Sequence, residues 1–212
     1  MSEHIDKIKD AIVGGLHKDI ETLVQAAVES GIAPELIVNE AMIPGMDVVG
    51  QKFSTNEIFV PEMLVAAVTM NKGLDLLKPI LQQGGSESKG TIVMCTVKGD
   101  LHDIGKNLVI MMLEGAGFEV IDMGVDMNVE TLIDKVKEIK PDVLGLSALL
   151  TTTLPEMARV IDSLEAVGIR DQVKVMIGGA PVDEAYSQKI GADAYGGDAA
   201  QAVQVARQLI TG

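Results

Sequence analysis

Apolar positions in the first 80 residues recur at helical spacing. SEHIDKIKDAIV, residues 2–13, places Ile5, Ile8, Ile12 and Val13 on one face, which predicts an amphipathic helix. Gly14 and Gly15 interrupt the pattern, HKDIETLVQAAVES resumes it over 17–30, and Gly31 is placed to cap its end. Pro34 suits a first helical turn and opens PELIVNEAMIPGMDVVGQKF, residues 34–53, in which Pro44–Gly45 predicts a kink or break. VPEMLVAAVTMNKGLDLLKPIL, residues 60–81, reads as the fourth helix. Four such helices on short connections predict an N-terminal four-helix bundle over residues 1–88.

The polar, Gly- and Ser-rich stretch QQGGSESKG, residues 82–90, reads as a linker and domain boundary. Beyond it the grammar changes. TIVMCTV (91–97), FEVID (118–122), DVLGLS (142–147), VKVMIGG (173–179) and ADAYG (192–196) read as strands. Between and after them lie the helical patterns DIGKNLVIMMLEGAG (103–117), NVETLIDKVKEIK (128–140, with Asn128 as its cap), LPEMARVIDSLEAVG (154–168), a short helix near 183–190, and DAAQAVQVARQLI (198–210). Short apolar strands alternating with amphipathic helices predict an α/β domain over 89–212. Its sheet is doubly wound, parallel and five-stranded, of the flavodoxin or Rossmann-like kind.

Composition narrows the class. The 212 residues are 47% hydrophobic and 23% charged, with no Trp, 2% aromatics and twelve Met. The core is therefore aliphatic, with methionine as an adaptable filler. A net charge of −14 excludes a nucleic-acid partner, because neutralising phosphates requires Lys and Arg. Cys95 is the single cysteine, which rules out an internal disulfide and points to a reducing compartment. The charged start MSEHIDKIKD lacks the apolar core of a signal peptide. No window approaches the roughly 20 apolar residues of a membrane span. The expectation is a cytoplasmic protein without membrane contact.

The candidate chemistry lies where the strands end. VKGDLHDIGKNLV (97–109) follows the first strand, SALLTTT (147–153) the third and GGAP (178–181) the fourth. Ligands of open parallel sheets bind outside those carboxyl ends. His102 admits three readings. As a general base it wants a nucleophile, and Cys95 is expected inside a strand. As a zinc ligand it lacks partners, since His4 and His17 lie in the bundle and one cysteine cannot complete a tetrahedral set. As the single axial ligand of a metal held by a macrocycle it needs no other protein ligand, and Asp100 two residues away could accept from its second nitrogen. Gly105, Gly145, Gly178 and Gly179 mark places of close approach. None forms the Gly-x-Gly-x-x-Gly dinucleotide fingerprint.

Asp-x-His-x-x-Gly, then Ser-x-Leu, then Gly-Gly, read here as DLHDIG, SAL and GG, resembles the cobalamin-binding domains. PGMDVVGQKFSTNEIFVPEMLVAAVTM (44–70) is similar to the helical cap paired with that fold in cobalamin-dependent methionine synthase and in small corrinoid proteins of methyltransferase systems. The resemblance covers practically the whole chain. It implies cobalamin or a related corrinoid bound base-off and His-on, its cobalt cycling between methyl-Co(III) and Co(I). Carried onto this chain, His102 would be the lower axial ligand and Asp100 its hydrogen-bond acceptor. Thr153 would stand where the methionine synthase pattern has a serine continuing the relay. Asp103, Ile104 and Gly105 continue the motif at the cofactor. Ser147, Leu149 and Thr151 would line the nucleotide tail, Gly178 and Gly179 would leave it room, and Tyr195 and Gly196 would close the far end. Phe53 and Val60 match the cap positions over the corrin's upper face, the second being leucine in methionine synthase.

The resemblance further implies a methyl carrier rather than a complete enzyme, because nothing in the two domains is left over for a substrate pocket or a folate-binding barrel. A substrate-specific methyltransferase would load the cobalt from a methyl donor. A corrinoid:acceptor methyltransferase would unload it to tetrahydrofolate or a thiol cofactor, and a reductive activating protein would restore it. The linker would let the cap swing aside, and the acidic surface would guide docking. The competing readings are a cobalamin-dependent regulator and the cobalamin-binding subunit of a mutase. The methyl donor (methanol, a methylamine, an aryl methyl ether or a betaine) is not legible in this sequence.

Overall fold

Helix α1 (Ser2–Val13) buries Ile8 and Ile12 and stops at the glycine pair, where Gly15 takes a φ of 65°. Helix α2 (Ile20–Glu29) buries Ile20, Val24 and Ala27 and ends at Ser30, followed by Gly31 at φ 83°, a left-handed position that favours glycine. From Pro34 the chain is helical without interruption through α3 (Pro34–Ile37), a π turn (Val38–Met42) and α4 (Ile43–Ser54). The kink or break expected at Pro44–Gly45 is therefore a π turn just upstream. Pro44 follows directly on the π turn at the start of α4, and that wider turn accommodates the ring and the missing N–H without breaking the helix. Helix α5 (Val60–Gly84) includes Pro79 and extends through residues 82–84, which were expected to be linker. Glutamine is a good helix former, so the pair at 82–83 continues the helix. The computed structural model describes residues 2–84 and 88–211; the rest of the expected linker, at 85–87, lies outside the described residues.

The second half holds strands β1 (Thr91–Thr96), β2 (Glu119–Asp122), β3 (Val143–Ser147), β4 (Lys174–Gly178) and β5 (Ala194–Gly196). They form one parallel sheet in the order β2-β1-β3-β4-β5, the doubly wound, flavodoxin-like order. The helices are α6 (Ile104–Gly115), α7 (Val129–Ile139), α8 (Leu154–Ala166), α9 (Glu184–Ile190) and α10 (Ala199–Thr211). A short 3-10 turn at Arg170–Gln172 was not expected. Asn128 caps α7, its Oδ1 accepting from the amides of Glu130 at 2.9 Å and Thr131 at 3.2 Å.

One face of the sheet packs Val93, Cys95, Leu144, Leu146, Val175 and Ile177 against Leu132 and Val136 of α7 and Met157 and Ile161 of α8. Burial from both sides explains why β1, β3 and β4 read as near-continuous apolar runs. Strand order reverses at β1, which has β2 on one side and β3 on the other, so the carboxyl ends of β1 and β3 form the topological switch point. By contacts the chain divides into two compact units, Met1–Ser88 with Glu114–Gly117, and Lys89–Leu113 with Phe118–Gly212. No described helix is long and apolar enough to cross a membrane.

Candidate functional site

At the switch point β1 leads into the loop 97–103 and β3 into the loop 148–153. Asp100 is fully buried between them. Its Oδ1 accepts from the His102 amide at 3.0 Å and lies 2.6 Å from His102 Nδ1. Its Oδ2 accepts from the amides of Leu149 at 2.7 Å and Leu150 at 3.1 Å, and from Thr153 Oγ1 at 3.1 Å. Burial pushes the carboxyl pKa up, but the amides of His102 and Leu149, the His102 ring and the Leu150 amide together outweigh it. They hold Asp100 well below the usual carboxylate range. An ionised acceptor at Nδ1 selects the tautomer with the proton on Nδ1, leaving the lone pair on Nε2. The imidazole is itself half exposed, at 51%. The site thus presents one oriented ring nitrogen with its lone pair free.

Thr153 stands at the N-cap position of α8 but makes no capping bond to its own helix, although threonine there commonly does. Its hydroxyl proton is shared between Asp100 Oδ2 and the Leu150 carbonyl, the latter at 2.9 Å. A local preference given up in this way marks a position selected for something other than helix stability. Three further residues, two bonded to the loop and one in the helix that follows it, were given no role in the sequence reading. Buried Thr96 donates from Oγ1 to the His102 carbonyl at 2.9 Å. Asp126, on the loop after β2, accepts from the Gly99 amide at 2.8 Å and from Lys98 Nζ at 3.0 Å; these bonds, Gly99 first, lower its pKa. Lys106, buried in the first turn of α6, bonds Asp122 at 2.6 Å and Asn107 at 2.9 Å. The available signals were an unpaired lysine in an apolar helix and an acid in the Gly-Val-Asp turn after β2.

The remaining expected residues fall into distinct places. Thr96, Ser147, Gly178 and Gly196 are register partners across β1, β3, β4 and β5, so the last residues of four strands form one row without a large side chain. A Cβ on Gly178 would lie 2.9 Å from the Gly196 carbonyl oxygen, and one on Gly179, at φ 129°, would run into the Ala148 carbonyl. Backbone packing alone therefore demands both glycines. Gly145 is filled likewise, since a Cβ there would meet the Met94 side chain. Tyr195 alternates with Gly196 along β5 and packs against the cluster on the α7–α8 face, the side opposite that row. Gly105 differs from the others, because a Cβ there would meet nothing within 4 Å. The surroundings of His102 are apolar and exposed: Leu101, Ile104, Leu149 and Leu150 all face solvent. Asp103 is exposed, and its carbonyl accepts from the Asn107 amide at 2.8 Å to start α6. Thr151 is exposed in the turn before α8. Phe53, half-buried on α4, and Val60, exposed at the head of α5, belong to the helical unit. Beside Val60, Phe59 and Leu64 are exposed as well, and neither was singled out from the sequence.

No group of three or more His, Cys, Asp and Glu side chains among the described residues is placed to hold a metal ion. One free imidazole nitrogen, an apolar exposed surround and open space over Gly105 instead fit a metal that arrives with its own equatorial ligands, as a corrinoid does. The comparisons with known proteins agree. A B12 binding domain model matches residues 90–204, and a second B12 binding domain model matches residues 4–78. The trimethylamine corrinoid protein 1 of Methanosarcina acetivorans is 40% identical over 210 residues, 98% of this chain and 97% of that protein. The dimethylamine corrinoid protein of Methanosarcina barkeri is 42% identical over 209 residues, 98% of each. Among solved structures, the methanol:cobalamin methyltransferase complex MtaBC from Methanosarcina barkeri superposes with a TM-score of 0.87 at 34% identity, over 99% of this chain and 80% of the matched one. With both halves matched in series and relatives aligned nearly end to end, the chain belongs to the B12-binding corrinoid proteins of methyltransferase systems, their methyl carriers.

Proposed function

We propose that this carrier, acting in the cytoplasm, holds its corrinoid base-off and His-on, with His102 Nε2 as the lower axial ligand of cobalt. When bound, the corrinoid supplies the cobalt that takes up a methyl group and gives it away. The observation that carries the reading is the chain of contacts from His102 through buried Asp100 to Thr153, which leaves Nε2 as the single oriented donor. Asp100 fixes the ring's orientation through its bond to Nδ1, so that Nε2 is the nitrogen left free to face the metal. The amides of His102, Leu149 and Leu150 keep Asp100 ionised, and Thr153 joins them in holding the carboxylate, and with it the ring, in place. Asp103, Ile104 and Gly105 would bear on the cofactor at the head of α6. The row ending in Ser147, Gly178 and Gly196, with Leu149, Thr151 and Gly179 beside it, would leave room for the nucleotide tail. Tyr195 would support that end from the opposite face. Phe53 and Val60 would cover the corrin's upper face and exclude water.

The partners in this reading are a substrate-specific methyltransferase, a corrinoid:acceptor methyltransferase and a reductive activating protein. The relatives named for trimethylamine and dimethylamine make a methylated amine the first donor to try. The test is reconstitution of the full chain with hydroxocobalamin, methylcobalamin or adenosylcobalamin, followed by desalting and addition of a methylamine methyltransferase. The expected result is a coloured protein whose methyl form exchanges methyl with the partner. A colourless protein overturns the reading, and activity confined to the adenosyl form replaces the carrier with a sensor or mutase subunit.

A further inference from the structure

The residue that aims His102 has its own support, and it comes from the loop after β2 rather than from the motif. Asp126 grips the peptide on both sides of Asp100. Its carboxylate accepts from the Gly99 amide at 2.8 Å, and its own amide donates to the Asp100 carbonyl at 2.9 Å. The same carboxylate receives Lys98 Nζ at 3.0 Å. Asp126 reaches this arrangement in a left-handed backbone conformation, φ 53°, which Asp and Asn adopt more readily than other non-glycine residues. Gly99 answers with φ 81°. On the far side of the loop, Thr96 Oγ1 holds the His102 carbonyl. The segment between Gly99 and His102 is thereby tied at Gly99 N, Asp100 O and His102 O. A carboxylate that must take five donors on two oxygens has little rotational freedom, so its donors stay satisfied only while its main chain stays in place.

We infer that Asp126 is a positioning residue for the cobalt-facing imidazole, fixing the main chain of Asp100 so that Asp100 can fix His102. The inference rests on the reading of His102 as axial ligand, yet its first test does not. In the full chain without corrinoid, nitrogen-15 NMR of His102 reports which ring nitrogen carries the proton. The native protein should show the single Nδ1–H form. Asp126→Ala should give a mixture of both tautomers, and Asp126→Asn, which keeps an oxygen for Gly99 and tolerates the same backbone, should restore the native pattern. After loading with hydroxocobalamin, Asp126→Ala should bind about tenfold more weakly, the low end for groups supporting a metal-bound histidine, and show a lower His-ligated fraction in its visible spectrum. A native tautomer and native corrinoid affinity in Asp126→Ala overturn the inference. Should that variant fail to fold, Asp126→Glu decides: it keeps the charge but moves the carboxylate by one methylene, and a native tautomer there overturns the inference too. If instead every variant and the native chain show no His ligation after loading, the reading of His102 fails while the tautomer result still stands on its own.

Discussion

The two ends of the sheet's upper rim are shaped by opposite means. At β1 and β3, shape comes from directional bonds: Asp100 collects five donors, two from His102 and three from the loop after β3, and so ties the two loops together. At β4 and β5, shape comes from atoms left out, since Gly178 and Gly179 lie where a Cβ would meet backbone oxygens. A network of bonds can be weakened one member at a time and still hold its fold. A floor made by missing atoms fails all at once, because backbone cannot move out of the way as a flexible side chain can.

The largest effect should therefore come from the glycine end. Gly179→Ala combines a φ of 129° with a collision at the Ala148 carbonyl. A cost of about 3 kcal/mol or more would lower Tm by on the order of 10 °C or leave no soluble protein. An unchanged melt would show that this glycine serves a ligand and not the backbone. Next comes Asp100→Ala, which strands the Leu149 and Leu150 amides and frees the ring. Stability should fall by about 1–3 kcal/mol and corrinoid affinity by roughly 10–100-fold, read by urea unfolding and equilibrium titration. Loss of stability with full affinity would separate the network from the cofactor.

Gly105→Ala sharpens the contrast between glycines. A Cβ there meets nothing of the protein, and alanine favours a helix over glycine by about 0.5–1 kcal/mol. The apoprotein should melt at the same temperature or slightly higher. Corrinoid binding should weaken by about 1–3 kcal/mol through overpacking, roughly 5- to 150-fold. Unchanged affinity would assign that open space to solvent. The smallest effect lies away from the rim, at Cys95 in the α7–α8 core, where burial pushes the thiol pKa up to about 12. An unfolded cysteine titrates near about 8.5. The folded thiol therefore stays protonated after the unfolded one has ionised, so its contribution is complete below that pH. Above it, stability is lost by up to about 1.4 kcal/mol per pH unit until the folded thiol titrates. Urea unfolding from pH 8 to 10 should fall more steeply for the native chain than for Cys95→Ala; parallel curves would contradict the burial.

Periodicity carried most of the fold. Strands buried on both faces, such as β1 with Ile92 to Cys95, cannot hide their apolar run, and α7 announced itself through Asn128 and the residues it caps. The errors were local. Pro44 reads as a break in any single-chain pattern, and only the structure shows a π turn taking up the mismatch. The end of α5 was misplaced because two glutamines serve a linker as well as a helix. Within the site, Asp100 and His102 were legible because they sit two residues apart in one motif. Asp126 was not, since it contacts Gly99 from 27 residues away, and turn acids are common. Lys106 stands in the same stretch as Asp100 and His102, but its pairing was not legible for the same reason, its carboxylate partner lying 16 residues along the chain. Gly178 and Gly179 were legible as glycines, but not that the backbone itself requires them.

The most direct measurement is electron paramagnetic resonance of the reconstituted protein with cobalt reduced to Co(II), made once with natural histidine and once with nitrogen-15 histidine. If His102 Nε2 lies beneath the metal, the superhyperfine lines should be triplets from nitrogen-14, collapse to doublets on labelling, and lose that label dependence in His102→Ala. Triplets that persist in the labelled native protein, or splitting that is the same with and without His102, would contradict the account.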